Sequence, residues 1–319
     1  MDLKAVTLGF ARFARTLAVP LSGALALMAL ATGLTAAPGG DIAVIYPQVR
    51  EPFAALYRDY VSGISRVAPE GIDQYAVNGQ GREQLAAAVG QSSPAVFIAL
   101  GNKSVRLADE VRAGKPLVAV VTDRKYEARL AGGILLKPSA DVYLANLFDI
   151  HARVDHVYLV YNPAYDQDMV DEAARILAAR KVRFSAIPAG NIREAAAGYQ
   201  QLLREARSYS AIWLPPDNGF VDSSLLATLL DVAWEKKLIV FSSNPLFVKH
   251  GAAFAVYPDN QRVGSTLGRI ALRARAGERT PLEPLKDVRL AVNERTVNHL
   301  GIDLSPAVRR RIELMLPGR

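Results

Sequence analysis

Residues 155–187 contain DHVYLVY (155–161), DQDMVDEAARILAA (166–179) and VRFSAI (182–187), read in order as a strand, a helix and a strand. The first and last segments are almost continuous in apolar and β-branched residues, as strands buried on both faces must be. The middle segment spaces Met169, Val170, Ala173, Ile176 and Leu177 by threes and fours, which makes one apolar stripe along a helix.

The same alternation continues outward in both directions. Strand-like runs lie at 41–46, 72–77, 95–100, 117–121 and 133–136 before this unit, and at 211–215, 238–241, 253–257 and 288–293 after it. Amphipathic stretches occupy 51–66, 193–207 and 220–234. This pattern predicts an α/β protein with doubly wound parallel sheets. Two similar halves meet near residue 138, so two lobes with a ligand cleft between them are expected. The expected division is 37–137 for the N-terminal lobe, completed by 250–275, and 138–249 for the C-terminal lobe, completed by 276–319. The tail is expected to recross between the lobes and end in a helix, with Arg309, Arg310 and Arg311 on its solvated face.

Half of the 319 residues are hydrophobic, which excludes a disordered chain. With no cysteine there is no disulfide framework, thiol nucleophile or thiolate metal site. The four histidines have no helical metal-pair spacing, and neither a G-x-S-x-G elbow nor a P-loop occurs. Gly264-Ser265-Thr266-Leu267-Gly268 has its serine in the wrong place for that elbow. His151 and His156 are expected at the surface. No catalytic centre, metal or cofactor is predicted.

Residues 1–36 open with Lys4, Arg12 and Arg15, continue without a charge from 16 to 36, and end in small residues before Pro38. This is the pattern of a cleavable export signal, with cleavage expected after Ala36. The leader carries three basic and one acidic side chain, so it takes two units of the chain's net charge of +7 with it. The remaining surplus is spread along the chain and predicts no nucleic-acid partner.

Ligands of open α/β sheets sit at the carboxyl ends of strands, where loops meet helix N-termini. Reading those loops selects Tyr46 and Arg50 after the first strand. It selects Asn102, Lys103 and Ser104 after the third, with Gly101 allowing a tight turn suited to an anion. Thr122 and Asp123 follow the fourth strand. In the second half the candidates are Asn162, Tyr165 and Asp166, then Asp217 and Asn218, then Ser243 and Asn244. The Gly101 turn could equally be an ordinary glycine turn with a polar cap, and each of the later loops is more often a turn and helix cap than a ligand contact.

The stretches ALGNKSVRLA (99–108), YLVYNPAYDQ (158–167), WLPPDNGFVD (213–222), LIVFSSNPLFVKHGA (238–252), VGSTLGRIALRARAGERTP (263–281) and LAVNERTVNHLGIDLSP (290–306) carry a resemblance. Together they resemble the solute-binding proteins of ABC transporters, in the group that includes tryptophan- and tyrosine-binding members. The resemblance implies the type I periplasmic binding protein fold over roughly residues 41–315. It implies a periplasmic, monomeric protein that binds a small solute without turnover and delivers it to an inner-membrane permease. A ligand sensor of the same fold, signalling to a membrane receptor, is the alternative role. Several positions depart from the family pattern: Asn102-Lys103 stands for Thr-Pro or Thr-Ser, and Tyr165-Asp166-Gln167 alters the second-lobe loop. The fold therefore carries over and the identity of the solute does not. Lys103 and Arg50 favour an anionic group, whereas Asp166 and Asp217 favour an amine or hydroxyls; an amino acid-like solute meets both, as would other small polar solutes.

Overall fold

The structure, a computed structural model, describes residues 40–68, 70–78, 82–215 and 219–316. The expected export signal at 1–36 lies outside these residues, as do Asp217 and Asn218. The chain divides into two compact units. The first takes the described residues up to Lys137 together with Asp259–Asp287, and the second takes Pro138–Pro258 together with the chain from Val288 onward.

The first unit runs β1 (Ile42–Pro47), α1 (Phe53–Ser65), β2 (Ile72–Val77), α2 (Arg82–Ser92), β3 (Val96–Leu100), α3 (Asn102–Val111) and β4 (Leu117–Val121). A 3₁₀ turn over Arg124–Arg129 leads into β5 (Gly132–Pro138). The second unit runs α4 (Ala140–Ile150), β6 (His156–Tyr161), α5 (Pro163–Ala179), β7 (Arg183–Pro188), α6 (Ile192–Glu205), β8 (Ser210–Leu214), α7 (Ser223–Lys236), β9 (Ile239–Ser242), α8 (Pro245–His250) and β10 (Phe254–Pro258). The chain then returns to the first unit for α9 (Asn260–Arg275) and β11 (Leu282–Leu285). It closes in the second with β12 (Val288–Asn293), α10 (Glu294–His299), α11 (Pro306–Arg309) and β13 (Ile312–Leu316).

The sheets are six- and seven-stranded, in the orders β11-β5-β4-β3-β1-β2 and β13-β12-β10-β9-β8-β6-β7. Within each, the first five strands of the unit follow one winding: β2-β1-β3-β4-β5 and β7-β6-β8-β9-β10. Their pairings are parallel, whereas β12 lies antiparallel to β10. β3, β4, β6, β8 and β9 are buried along their whole length, because helices cover both faces of a doubly wound sheet. In the second sheet alternate residues feed two cores. Val157, Leu159, Trp213 and Phe241 face one, with Tyr143 and Leu147 of α4. Val160, Ile212, Leu214 and Val240 face the other, with Tyr199 and Leu229.

Each unit also receives a helix delivered after the fifth strand of the other. α4 follows β5 and packs on α5, while α9 follows β10 and packs along α1. The α1–α9 crossing is close enough to require glycine. A Cβ on Gly264 would stand 2.1 Å from the Tyr60 carbonyl oxygen, and one on Gly63 would stand 2.0 Å from that of Gln261. Ser265 then donates from Oγ to the Gly63 carbonyl at 3.0 Å. The Gly264–Gly268 segment is thus a helix seam. No helix among the described residues is long and apolar enough to cross a membrane.

Four expectations are corrected. Residues 250–258, expected to complete the N-terminal lobe, end α8 and form β10 of the second sheet, because Phe254 pairs with Phe241. Residues 276–287, expected in the C-terminal lobe, belong to the first unit, where β11 adds to β5. The expected last helix stops at Arg309, and IELML (312–316) is a strand paired with β12. Arg311 there stays exposed, as expected of Arg309–Arg311, while donating to Asp149 at 2.6 Å and also to Asn146 of α4. Finally, His156 is buried, stacked on Tyr158 and hydrogen-bonded to Ser185 at 2.8 Å, so it is no surface residue.

Candidate functional site

The winding of the first sheet reverses between β1 and β3, and that of the second between β6 and β8. The carboxyl ends at such switch points are where open α/β sheets hold ligands.

In the first unit, Tyr46 ends β1 with its ring stacked on Tyr57 at 5.8 Å and its hydroxyl donating to Gln74 at 3.3 Å. Burial raises the Tyr46 phenol and pushes that of Tyr57 up to about 12. Arg50 is exposed in the loop leading to α1. β3 runs into Gly101, which has φ +91°, a region costly for residues with a Cβ. Its N–H donates to the Val120 carbonyl at 2.9 Å.

Gly101 is also the N-cap of α3 and has no side chain with which to cap it. The first amides of that helix are therefore left to outside partners. Lys103 is exposed beside them. Ser104 is fully buried, and its Oγ makes no hydrogen bond among the described residues. Asn102 donates from Nδ2 to Thr122 Oγ1 at 2.8 Å and accepts the Thr122 N–H at 3.1 Å, which ties the β3 and β4 loops together. Asp123 caps the 3₁₀ turn by accepting the Lys125 N–H at 2.9 Å. Burial would raise its carboxyl, but the hydrogen bonds and charge of Lys125 outweigh burial and lower it.

In the second unit, Asn162 and Asn244 are N-caps, accepting the N–H groups of Ala164 and Leu246, each at 3.0 Å. Their oxygens are thus committed to the starts of α5 and α8, and what each can offer a solute is its amide NH₂. Tyr165 is 60% exposed, whereas Asp166, in the same first turn of α5, is 3% exposed. Ser243 follows β9 and lies near the Tyr143 phenol, outside hydrogen-bonding geometry.

The structure thus brings Asn102 and Thr122 into direct contact and sets Tyr46 on the neighbouring strand end. Asn162, Ser243 and Asn244 occupy strand-end loops of the second sheet, and Asp166 lies in the first turn of α5. The sequence reading did not single out Tyr143 or Trp213, whose ring centroids are 4.9 Å apart, with Ser243 and Asp166 near the Tyr143 phenol. Trp213 had a weak signal, as an aromatic two residues before a Pro-Pro pair; Tyr143 had none.

Residues 146–313 match the sequence profile of the family described as ABC transporter substrate binding protein. No curated protein sequence matches the chain. Among solved structures, a ligand-free, open substrate-binding protein with adhesive properties from Clostridium difficile aligns over 87% of this chain and 99% of its own, at 18% identity and TM-score 0.65. A periplasmic ribose ABC transporter protein from Conexibacter woesei covers 86% and 98%, at 14% identity and TM-score 0.52. An ABC domain in complex with L-Trp from Streptococcus pneumonia covers 86% and 100%, at 16% identity and TM-score 0.50. At these identities the likeness is one of fold, and it is the two-sheet α/β fold described above. With the profile spanning more than half of its residues, the chain belongs to the ABC transporter substrate-binding protein family.

Proposed function

We propose that the protein is the periplasmic solute-binding component of an ABC-type importer, exported by its leader. It takes a small polar, amino acid-like solute and passes it to an inner-membrane permease without chemical turnover. The observation that carries this reading is the Gly101–Ser104 turn at the switch point of the first sheet. An uncapped helix start, the Lys103 cation and a buried serine hydroxyl with no partner among the described residues meet there, a donor set suited to a carboxylate. The basic, apolar and small-residue order of residues 1–36 supports export. The fold neighbours complexed with L-Trp and named for ribose handle small polar solutes, which fits the same class.

The test is a thermal-shift screen of the free L-amino acids and common monosaccharides, followed by calorimetry. A solute held at a hundred times its Kd should stabilise the folded protein by about 2.7 kcal/mol. Ser104→Ala should bind roughly tenfold or more weakly, through loss of a hydrogen bond to a charged group. Its melting temperature without solute should not fall, because the deleted hydroxyl has no partner to lose. Lys103→Ala should weaken binding similarly, and Arg310→Ala, at the far end of the chain, should leave it unchanged. If no member of the panel shifts the melting temperature, the solute-binding reading is wrong.

A further inference from the structure

Tyr143 and Trp213 are each 0% exposed, and neither the phenol hydroxyl nor the indole N–H makes a hydrogen bond among the described residues. Leaving two such donors buried is costly, and native proteins rarely do so without a use for them. Tyr60 and Tyr199 also bury partnerless hydroxyls, but each stands singly in mid-helix. The Tyr143–Trp213 pair differs in position and company. Trp213 is next to last on β8, a strand that flanks the switch point of the second sheet. Its ring lies between Tyr143 and Phe241, with centroids at 4.9 and 5.6 Å. The Tyr143 phenol is held above its ordinary value, first by burial and then by the Asp166 charge, while the nearby Ser243 hydroxyl works against both. Asp166 is itself buried in the first turn of α5.

An anionic ligand group is disfavoured at this place, because Asp166 would repel it. A purely donating group would leave the indole and phenol hydrogens unserved. A neutral group that accepts from Tyr143 and Trp213 and donates to the acidic side meets both demands. We propose that the second unit reads a neutral hydroxyl or primary amide of the solute through Tyr143 Oη and Trp213 Nε1, with Ser243 completing the contact. This specificity subsite rests on the solute-binding reading above. It lies within the second unit alone, at the carboxyl end of β8.

The experiment uses the full chain and matched probes: L-glutamine against L-glutamate, L-asparagine against L-aspartate, and L-serine and L-threonine for the hydroxyl arm. At least one neutral probe should bind, and each acidic partner should bind at least about tenfold more weakly than its amide. Tyr143→Phe, which keeps the ring packing, should lose about tenfold or more in affinity for the neutral probe while melting normally. Because the chain has two tryptophans, Trp234→Phe leaves Trp213 as the sole indole, and its emission should change on binding. A bound probe with unchanged affinity in Tyr143→Phe, or with unchanged Trp213 emission, overturns the subsite and leaves the solute-binding reading intact. Tighter binding of the acidic members does the same. If none of these probes binds while another member of the wider panel does, the subsite is overturned and the solute-binding reading stands.

Discussion

At the scale of single residues, several polar side chains selected at strand ends serve the fold first. Asn162, Asp123 and Asn244 cap the segments they precede, and Asn102 is locked to Thr122. Their local pattern in the sequence is the same for a cap and for a ligand contact, which is why the sequence left both readings open. His156 shows what position alone hides. Burial, then the Arg183 charge, lower its pKa against weaker opposition from Asp155 and Glu205. His151 is lowered in the same direction, by burial and then Arg153. A histidine whose folded pKa lies below the unfolded value near 6.5 favours folding above that value. As pH falls below it, the unfolded chain takes up a proton that the folded chain resists, and the contribution is lost through the folded pKa. The melting temperature should therefore drop between about pH 7.5 and about pH 5.5, and His156→Gln should flatten that drop. A variant curve parallel to the parent's would remove His156 as its source.

At the scale of elements, the α1–α9 seam explains a motif that carries no chemistry. Alanine is the better helix former, by about 1 kcal/mol over glycine in an open helix. At Gly264 the steric cost wins, because the new Cβ would meet a backbone oxygen at 2.1 Å and neither helix can move freely. Gly264→Ala should destabilise the protein by about 1–3 kcal/mol, read from denaturant unfolding. Gly90, in α2, has nothing within 4 Å of the place an added methyl group would take, so Gly90→Ala should stabilise by about 0.5–1 kcal/mol. Equal effects at the two sites would mean that the seam is looser than its geometry.

At the scale of the whole molecule, each unit is built from two stretches of chain, so a truncation tests them separately. A chain ending at Asp287 keeps every element of the first unit and lacks β12, α10, α11 and β13 of the second. It thereby loses Leu290, Val292, Val297, Ile302, Leu304 and Val308 from the second unit's core. Each such side chain is worth about 1.5–3 kcal/mol when buried, against a typical domain stability of about 5–15 kcal/mol. Hydrogen exchange should find β1, β3 and β4 still protected and β6, β8 and β9 exchanging freely. Protection of β6 and β8 as in the full chain would show that the second unit folds without its closing segment.

What the sequence determined by itself was local. Apolar runs and three-to-four spacing mark strands and helices within a few residues, and the motifs from ALGNKSVRLA to LAVNERTVNHLGIDLSP mark the family, because both are written in consecutive residues. What only the tertiary structure decided was long-range. Gly63 and Ser265 touch across 202 positions, and residues 276–287 and 312–316 take their states from strands laid down far earlier in the chain. Tyr143 and Trp213 become a pair only when α4 is packed over β8. Periodicity says which face of an element is apolar, but not which partner will cover it. That choice is made by packing, and it is packing that buried those two donors side by side at a strand end.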